Sequence, residues 1–587
     1  MNTRCLRGLI AIACFPLVSG PRASASDALA PRFREPVAIV WADQGKTVLV
    51  ANRRSGSVSV IDAQARRVIA EFDVGRSLGD LRAVPASPLW LATDMAADQV
   101  VLFERRDTLI QVRQRLDVGG QPSRIAVASD GRSCVVASRW ARSLTFVDLK
   151  AGDAHEKSPL SVLTAIDMPF CPGELAFFPD GRRLVVADAF GGKLAVVDCG
   201  RRSLESVREL PAHNIRGLAF SPDGRTLVLA HQFLNRLAHT RFDDVHWGDV
   251  IRNHLRVLRT DALTTPGGDQ SLFRGARHFD LGDVGYAAGD PAGLAFDSRD
   301  GLVVALAGMN EIAITAIAEQ GPRRVVVGRH PTCVAPSPDG SLVFVADSLD
   351  DTISVVSLAT GQKLATISLG PRPELSAIDR GERLFFDAKL SHDGWMSCHS
   401  CHTDGHTNNL SSDTLSDGSF GAAKRVPSLL GVGATPPWTW TGTVDRLEDQ
   451  VRKSITITMQ GTKPTDEQVA DLTAYLKALT IPKLRGKTGD RASIDRGRAV
   501  FQDRKCADCH APPEFTTPER FDVGLTDEVG NRRFNPPSLR AVSRRETLLH
   551  DGRARSLAEV FEKERHPRGL VLSAPEIVDL VRFLESL

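Results

Sequence analysis
Two strings in the last third of the chain concentrate side chains that bind metals or form covalent links. DGWMSCHSCHTDGH, at 393–406, holds two cysteines, three histidines and a methionine, and KCADCH follows at 505–510. Each contains Cys-x-x-Cys-His: Cys398, Cys401 and His402 in the first, Cys506, Cys509 and His510 in the second. This spacing is the attachment pattern for c-type haem. Two thiols one helical turn apart both reach a porphyrin edge as thioethers, and the next residue presents an imidazole to the iron. A zinc knuckle needs four converging ligands. A thioredoxin-like dithiol needs a βαβ setting, whereas the surroundings here read as helical. Two occurrences argue against chance. The expectation is two covalently bound haem c groups, with His402 and His510 on the irons.

The sixth position on a haem iron decides its chemistry, and the two regions differ there. The first has Met459 in TITMQGTKP, just before its last helical pattern. The second contains no methionine; at the matching place it has His566 in KERHPRG, and His550 in LHDG aligns with Trp440 in TWTG. Met459 and His566 are the expected sixth ligands. His550 and His566 are the candidates for acid–base work at the second iron. A thioether raises a haem potential, while a second imidazole or an open position lowers it, so the two haems are expected to be inequivalent. Each residue has an ordinary alternative: Met459 as gap-filling core, His550 in a turn, His566 at a loop end before Pro567. His399 is expected to face solvent, and His406 ranks below Met459 as a ligand. Trp395, Trp438 and Trp440 are expected to pack, although a tryptophan between haems carries charge.

The elements that position these residues repeat. Ile378-Asp379-Arg380-Gly381 returns as Ile494-Asp495-Arg496-Gly497, and Pro427-Ser428-Leu429 as Pro537-Ser538-Leu539. DLTAYLKAL at 471–479 matches DLVRFLESL at 579–587. With the cysteine motifs, four landmarks recur in one order. They imply two duplicated all-α cytochrome c domains, 374–482 and 483–587, divided near KLRGKTGD.

Upstream, over 33–370, a turn, a valine-rich run, a polar gap and a second apolar run recur every forty to fifty residues. Turns fall at Asp43, near Pro85, and at Asp130, Asp180, Asp223, Asp300 and Asp339. Asp-Gly pairs favour tight hairpins, and four short strands per unit mark a β-propeller. Seven turns predict seven blades, in units similar to the YVTN class of propeller repeats. The long gap after Asp223 predicts an insertion, roughly 234–290. A substrate pocket lined by His231, His246, Trp247 and His254 is one role for it. Cys134, Cys171, Cys199 and Cys333 read as small apolar residues or an unassigned disulfide. The fold class is therefore multidomain: an all-β propeller, then two helical domains.

The 587 residues carry a net charge of +2, with 42% apolar and 25% charged residues. Nothing in that balance points to nucleic acid, and ten cysteines are too few for a disulfide scaffold. Arg4 and Arg7, the run LIAIACFPLV and Ala23-Ser24-Ala25 read as a cleaved signal peptide over 1–25. The run is too short for a membrane span, and too short before Cys14 to favour a lipid anchor there. No later stretch is apolar over membrane length. A soluble, periplasmic protein is expected.

Residues 374–587 resemble the bacterial di-haem cytochrome c peroxidase family, which also includes the di-haem enzyme that matures methylamine dehydrogenase. The likeness rests on IDRGERLFF, CHSCH, VPSLLGV and PW in the first copy, and on IDRGRAVF, CADCH, PPSLRAV, LLHDGRARSLAEV and FLESL in the second. It implies covalent haem at Cys398, Cys401, Cys506 and Cys509, one haem storing an electron at high potential and the other meeting peroxide. It places His550 near the C-terminal haem. It also implies an interdomain calcium, for which no motif is visible. The sequence departs from the family in one respect: the family's methionine ligand usually lies in the second domain, and here Met459 lies in the first. The roles of the haems are then exchanged, or peroxidase activity is absent. The maturation enzyme's tyrosine ligand has no counterpart, because the second copy has no tyrosine. The expected function is an exported peroxidase-like oxidoreductase. It passes electrons between a small redox protein, its two haems and peroxide or a related small molecule. The alternative is a non-catalytic electron-transfer cytochrome whose propeller docks a partner.

Overall fold
The computed structural model describes residues 31–150, 159–317, 321–415, 420–482 and 490–587. The expected signal peptide, Cys14 and nearly all of the KLRGKTGD divider lie outside these. Residues 36–368 form a seven-bladed β-propeller. Its blades are four-stranded antiparallel meanders at 36–73, 78–117, 122–167, 172–209, 213–280, 291–326 and 331–368.

Side chains alternate across a strand, so Val48 and Val50 of blade one meet Phe344 and Ile353 of blade seven, while Leu49 and Ala51 meet Leu81 and Val101 of blade two. Both faces are covered, which is why these strands are apolar throughout. Ser348 Oγ donates to Pro36 O (2.6 Å) and Trp41 Nε1 to Ala335 O (3.1 Å), closing the ring between blades seven and one.

Each of the seven sequence turns joins the first strand of a blade to the second. At Asp130 and Asp180 the carboxylate accepts from the backbone N–H two residues on, at 2.9 and 2.8 Å. The following Gly131 and Gly181 have φ of 67° and 68°, which an Asp-Gly pair supplies without strain. The segment 234–290 is less of an appendage than its length suggests. It includes the third and fourth strands of blade five, Ile251–Arg259 and Arg277–Asp280, with short helices α1 (Phe242–His246) and α2 (Thr260–Thr264) before and after the third.

After the propeller come α3 (Ala377–Phe385), α4 (Cys398–Cys401), α5 (Leu447–Lys453), α6 (Asp466–Ala478), α7 (Arg491–Asp503), α8 (Leu557–Glu562) and α9 (Ala574–Glu585). The region is helical but not wholly so: Ser411–Ser412 pairs with Lys424–Arg425, and Phe521–Asp522 with Arg533–Phe534. Ser376 and Asp379 cap α3 reciprocally, fixing its start.

Helix α3 crosses α6 at Gly381, where an added Cβ would lie 2.0 Å from Asp471 O. Helix α7 crosses α9 at Gly497 with the same 2.0 Å approach to Asp579 O. Arg380 grips the Asp471 carboxylate through two bonds (2.7 and 2.8 Å), as Arg496 grips Asp579. Gly381→Ala and Gly497→Ala must each push the helices apart, an overpacking cost of about 3 kcal/mol. Thermal melts should show a clear drop in the midpoint for both; unchanged midpoints would show that the crossings yield freely.

Helix α4 docks on the propeller. Asp290 accepts from Ser397 Oγ (2.5 Å) and Ser400 Oγ (2.6 Å), and His213 Nε2–H donates to Ser400 O (3.0 Å). Asn253 Nδ2 donates to Trp395 O (3.0 Å), and Arg139 and Arg216 pair with Asp404 (2.6 and 2.8 Å). Among the described residues no helix is long and apolar enough to cross a membrane.

Candidate haem-binding sites
The first Cys-x-x-Cys-His string lies at the edge of a cavity of about 290 Å³ that Cys398, Cys401, His402, Met396, Met459 and Trp438 help to line. His402 follows the end of α4 with non-helical backbone. Its Nδ1–H donates to Pro427 O (2.9 Å), which leaves Nε2 with a free lone pair. Burial pushes its pKa down to about 4, so the imidazole is neutral, the form that ligates a metal. Met459 follows a π-helical turn, Ser454–Thr458, a distortion frequent at functional positions. It is 4% exposed, in a cluster with Ile455 and Leu472. Met396, two residues before Cys398, lines the same cavity, and nothing in the sequence marks it as a ligand.

The second string lines a cavity of about 160 Å³ together with His550, His566, Phe501, Phe534 and Leu580. His510 repeats the arrangement of His402: Nδ1–H donates to Phe515 O (3.1 Å), and burial lowers its pKa to about 4. His550 is 2% exposed, and among the described residues neither ring nitrogen has a hydrogen-bond partner. Its ring stacks on Phe534, 4.4 Å away and 17° from parallel, and burial lowers its pKa. His566 Nδ1 is likewise buried and unpartnered, and burial lowers its pKa to about 4. The structure thus brings His510, His550 and His566 around one cavity, and His402 and Met459 around the other.

Arg425, Trp440, Asn535 and Arg545 line both cavities. Trp440 Nε1 donates to Arg425 O (2.7 Å), and the Arg425 guanidinium lies 5.0 Å from the Trp440 ring centre. Arg425 is 2% exposed, yet among the described residues its guanidinium bonds only to carbonyls, Leu549 O and Val426 O. Arg545 bonds to Arg540 O, with its Nε unpartnered among the described residues. Burial pushes these guanidinium pKa values down to about 9 and about 10. A buried charge without a counter-charge is costly, and a cofactor bearing two carboxylates supplies one. Thiols, a neutral imidazole, an apolar wall and unpaired guanidinium groups therefore fit haem at both cavities.

The remaining histidines, tryptophans and cysteines that the sequence brings to notice lie elsewhere. His399 does not face solvent: it is 5% exposed, accepts from Asp404 N (3.1 Å) and packs against Phe386. The side of α4 turned away from the cavity meets the propeller face, which no local pattern reveals. His406 does not line the first cavity but sits against Trp140 and Phe190, with Nδ1 on Ser428 Oγ (2.9 Å). Trp395 is buried and donates to His246 O (3.2 Å). His231 and His254 pair across blade five, rings 5.6 Å apart, whereas His246 and Trp247 end α1, so the four do not line one pocket. Cys134, Cys171, Cys199 and Cys333 are free thiols. The propeller residues that hold α4 are not evident from the sequence. The signal available was slight: Asn214 and Asp290, each near the start of a blade's first strand, have φ of 52° and 55°, a conformation Asn and Asp tolerate.

Residues 376–481 match the family model described as "Di-haem cytochrome c peroxidase". The chain is similar to "Methylamine utilization protein MauG" of Methylophilus methylotrophus, 27% identical over 275 residues, which covers 35% of this chain and 81% of that protein. It is similar to the protein of the same name in Methylorubrum extorquens, 28% identical over 279 residues, covering 37% and 78%. "Hydrazine synthase subunit gamma" of Kuenenia stuttgartiensis is 24% identical over 270 residues, covering 35% and 76%. The C-terminal part of this chain therefore carries a domain of the di-haem cytochrome c peroxidase type behind a seven-bladed propeller, and haem c is the cofactor that family implies.

Proposed function
We propose that the protein is an exported di-haem c-type cytochrome that works as a peroxidase-like oxidoreductase, drawing electrons from a small redox protein. In this reading residues 1–25 are a signal peptide and 33–370 the propeller; 374–482 and 483–587 are two copies of one cytochrome c domain. The observation that carries the proposal is the contrast between two cavities sharing one wall. His402 shares its cavity with the thioethers of Met396 and Met459, whereas His510 shares its cavity with buried His550, whose two ring nitrogens are unpartnered among the described residues, and with half-buried His566, whose Nδ1 is unpartnered too.

Haem, when bound, supplies an iron that gains and loses one electron. Cys398, Cys401, Cys506 and Cys509 hold the two groups. His402 and His510 present Nε2, kept in that tautomer by the carbonyls of Pro427 and Phe515. Arg425 and Arg545 neutralise the carboxylates from the shared wall. Phe501, Phe534 and Leu580 exclude water from the second cavity. His566 would hold the second group closed in the resting protein. His550, neutral and with both nitrogens free, takes and returns a proton of peroxide. Calcium enters only through the family resemblance.

The histidine roles separate by substitution. His566→Ala should open the resting iron, seen as a changed resting spectrum and new carbon monoxide or cyanide binding. His550→Ala should leave that spectrum unchanged and slow peroxide turnover by about 10²–10⁴-fold, the usual worth of a positioned proton donor. Wild-type spectra and turnover in both variants would remove the second cavity as the reactive one. A second reading, a pure electron carrier, is favoured by one observation: each cavity already contains side chains suited to the sixth position. It predicts that neither iron binds carbon monoxide or peroxide at any redox state.

A further inference from the structure
A cluster outside both cavities holds ligands for a metal ion. His246 Nδ1 lies 3.0 Å from His392 Nε2 and 3.1 Å from Asp393 Oδ2, and His392 Nε2 lies 3.4 Å from the same oxygen. Among the described residues this is the group in which three such donors converge. His246 ends α1 in blade five, while His392 and Asp393 form the turn that precedes the first Cys-x-x-Cys-His string.

Hydrogen bonding holds the trio only by sharing a single proton among three acceptors. A ring nitrogen either donates or accepts. Protons on both nitrogens set two N–H groups against each other at 3.0 Å. A proton on His246 Nδ1 alone is shared between His392 Nε2 and Asp393 Oδ2, two acceptors 3.4 Å apart on one donor. A cation accepts all three lone pairs at once. An ion bound at about 2.0–2.1 Å in tetrahedral geometry separates its ligands by about 3.3–3.4 Å, and the three distances here fall within a few tenths of an ångström of that.

We propose that His246, His392 and Asp393 bind a divalent transition-metal ion, zinc above all, with water completing a four-coordinate shell. Two imidazoles select against calcium and magnesium, which take oxygen ligands. The surroundings are ordered for the task. The Phe242 ring lies nearly parallel to His246 (7°) and 4.7 Å from His392. Gly285 N donates to Asp393 Oδ2 (3.1 Å), a contact of the kind that orients a ligating carboxylate. The side chains of His246, His392 and Asp393 remain 31%, 27% and 19% exposed, which gives an ion a way in and leaves room for water. His392 N also donates to Met459 O (3.0 Å). A bound ion therefore ties blade five to the segment carrying the first haem motif, and through one backbone bond to the Met459 loop.

The test uses the full-length, haem-loaded protein. Zinc is added, excess is removed, and zinc and iron per chain are counted by elemental mass spectrometry, with zinc-edge X-ray absorption reporting the ligands. One zinc per chain with two imidazoles is expected, bound at least tenfold more weakly in H246A and H392Q. Asp393→Asn is the variant that keeps the fold, because asparagine tolerates the φ of 57° at this position and still accepts from Gly285; it too should weaken zinc at least tenfold at unchanged iron content. Absence of zinc binding by the wild-type protein, or undiminished zinc in Asp393→Asn, overturns the proposal.

Discussion

Replacing Cys506 and Cys509 together with alanine is expected to lower haem from two groups per chain to one. The two motifs line separate cavities and differ in their support. The first stands on α4, fastened to the propeller through Asp290 and His213. The second begins in a short 3-10 turn, Cys506–Asp508, against Phe501 and Phe515. Nothing in the first attachment depends on the second pair of thiols. Without them, His510 alone does not retain a haem through denaturation, because a thioether is covalent and an axial bond is not. A pyridine haemochrome assay and an iron count per chain should both fall by half, and the haem that remains should be the one opposite Met459. Two haems in the variant would mean that the second string does not attach haem. Zinc rather than iron on the second string of the wild-type protein would restore the zinc-knuckle reading.

The parts of the fold visible in sequence were those set by local chemistry. Asp-Gly turns, valine-rich runs and chain spacing located the seven blades, because each blade is a contiguous meander whose turns need residues that accept positive φ. The paired landmarks around Gly381 and Gly497 were visible because the helices cross so closely there that an added Cβ would lie 2.0 Å from a backbone oxygen. Cys-x-x-Cys-His was visible because its donors are neighbours in the chain. What the sequence concealed depends on contacts across hundreds of residues. His399 looked solvent-facing because its burial comes from the docking of α4 on the propeller. Arg425 and Arg545 were silent because an arginine becomes informative only when it is buried without a carboxylate. The His246, His392 and Asp393 cluster joins segments about 146 residues apart, and no pattern within either segment announces it.

Met459→Ala is expected to lower one of the two haem midpoint potentials by on the order of a hundred millivolts or more, a modest share of the ~0.8 V range that axial ligands command. The sign follows from the ligand. A thioether is a poor donor to ferric iron and favours the ferrous state, so its loss shifts the equilibrium toward the oxidised form. The loop is built to hold one geometry. Met459 N donates to Ser454 O (2.9 Å), its carbonyl accepts from His392 N (3.0 Å), and Gly461 N donates to Ile455 O (2.8 Å). At Gly461 an added Cβ would lie 1.9 Å from Leu390 O, so the chain there runs against the neighbouring backbone and the loop has little freedom to re-present another residue. The competitor is Met396, which lines the same cavity. Parallel redox titrations of Met459→Ala and Met396→Ala decide between them. A fall in Met459→Ala alone assigns the sixth position to Met459, and a fall in Met396→Ala alone moves it to Met396. Unchanged titrations in both would make the two methionines packing. The first haem would then hold no high-potential electron, and the division of labour between the cavities would lose its basis.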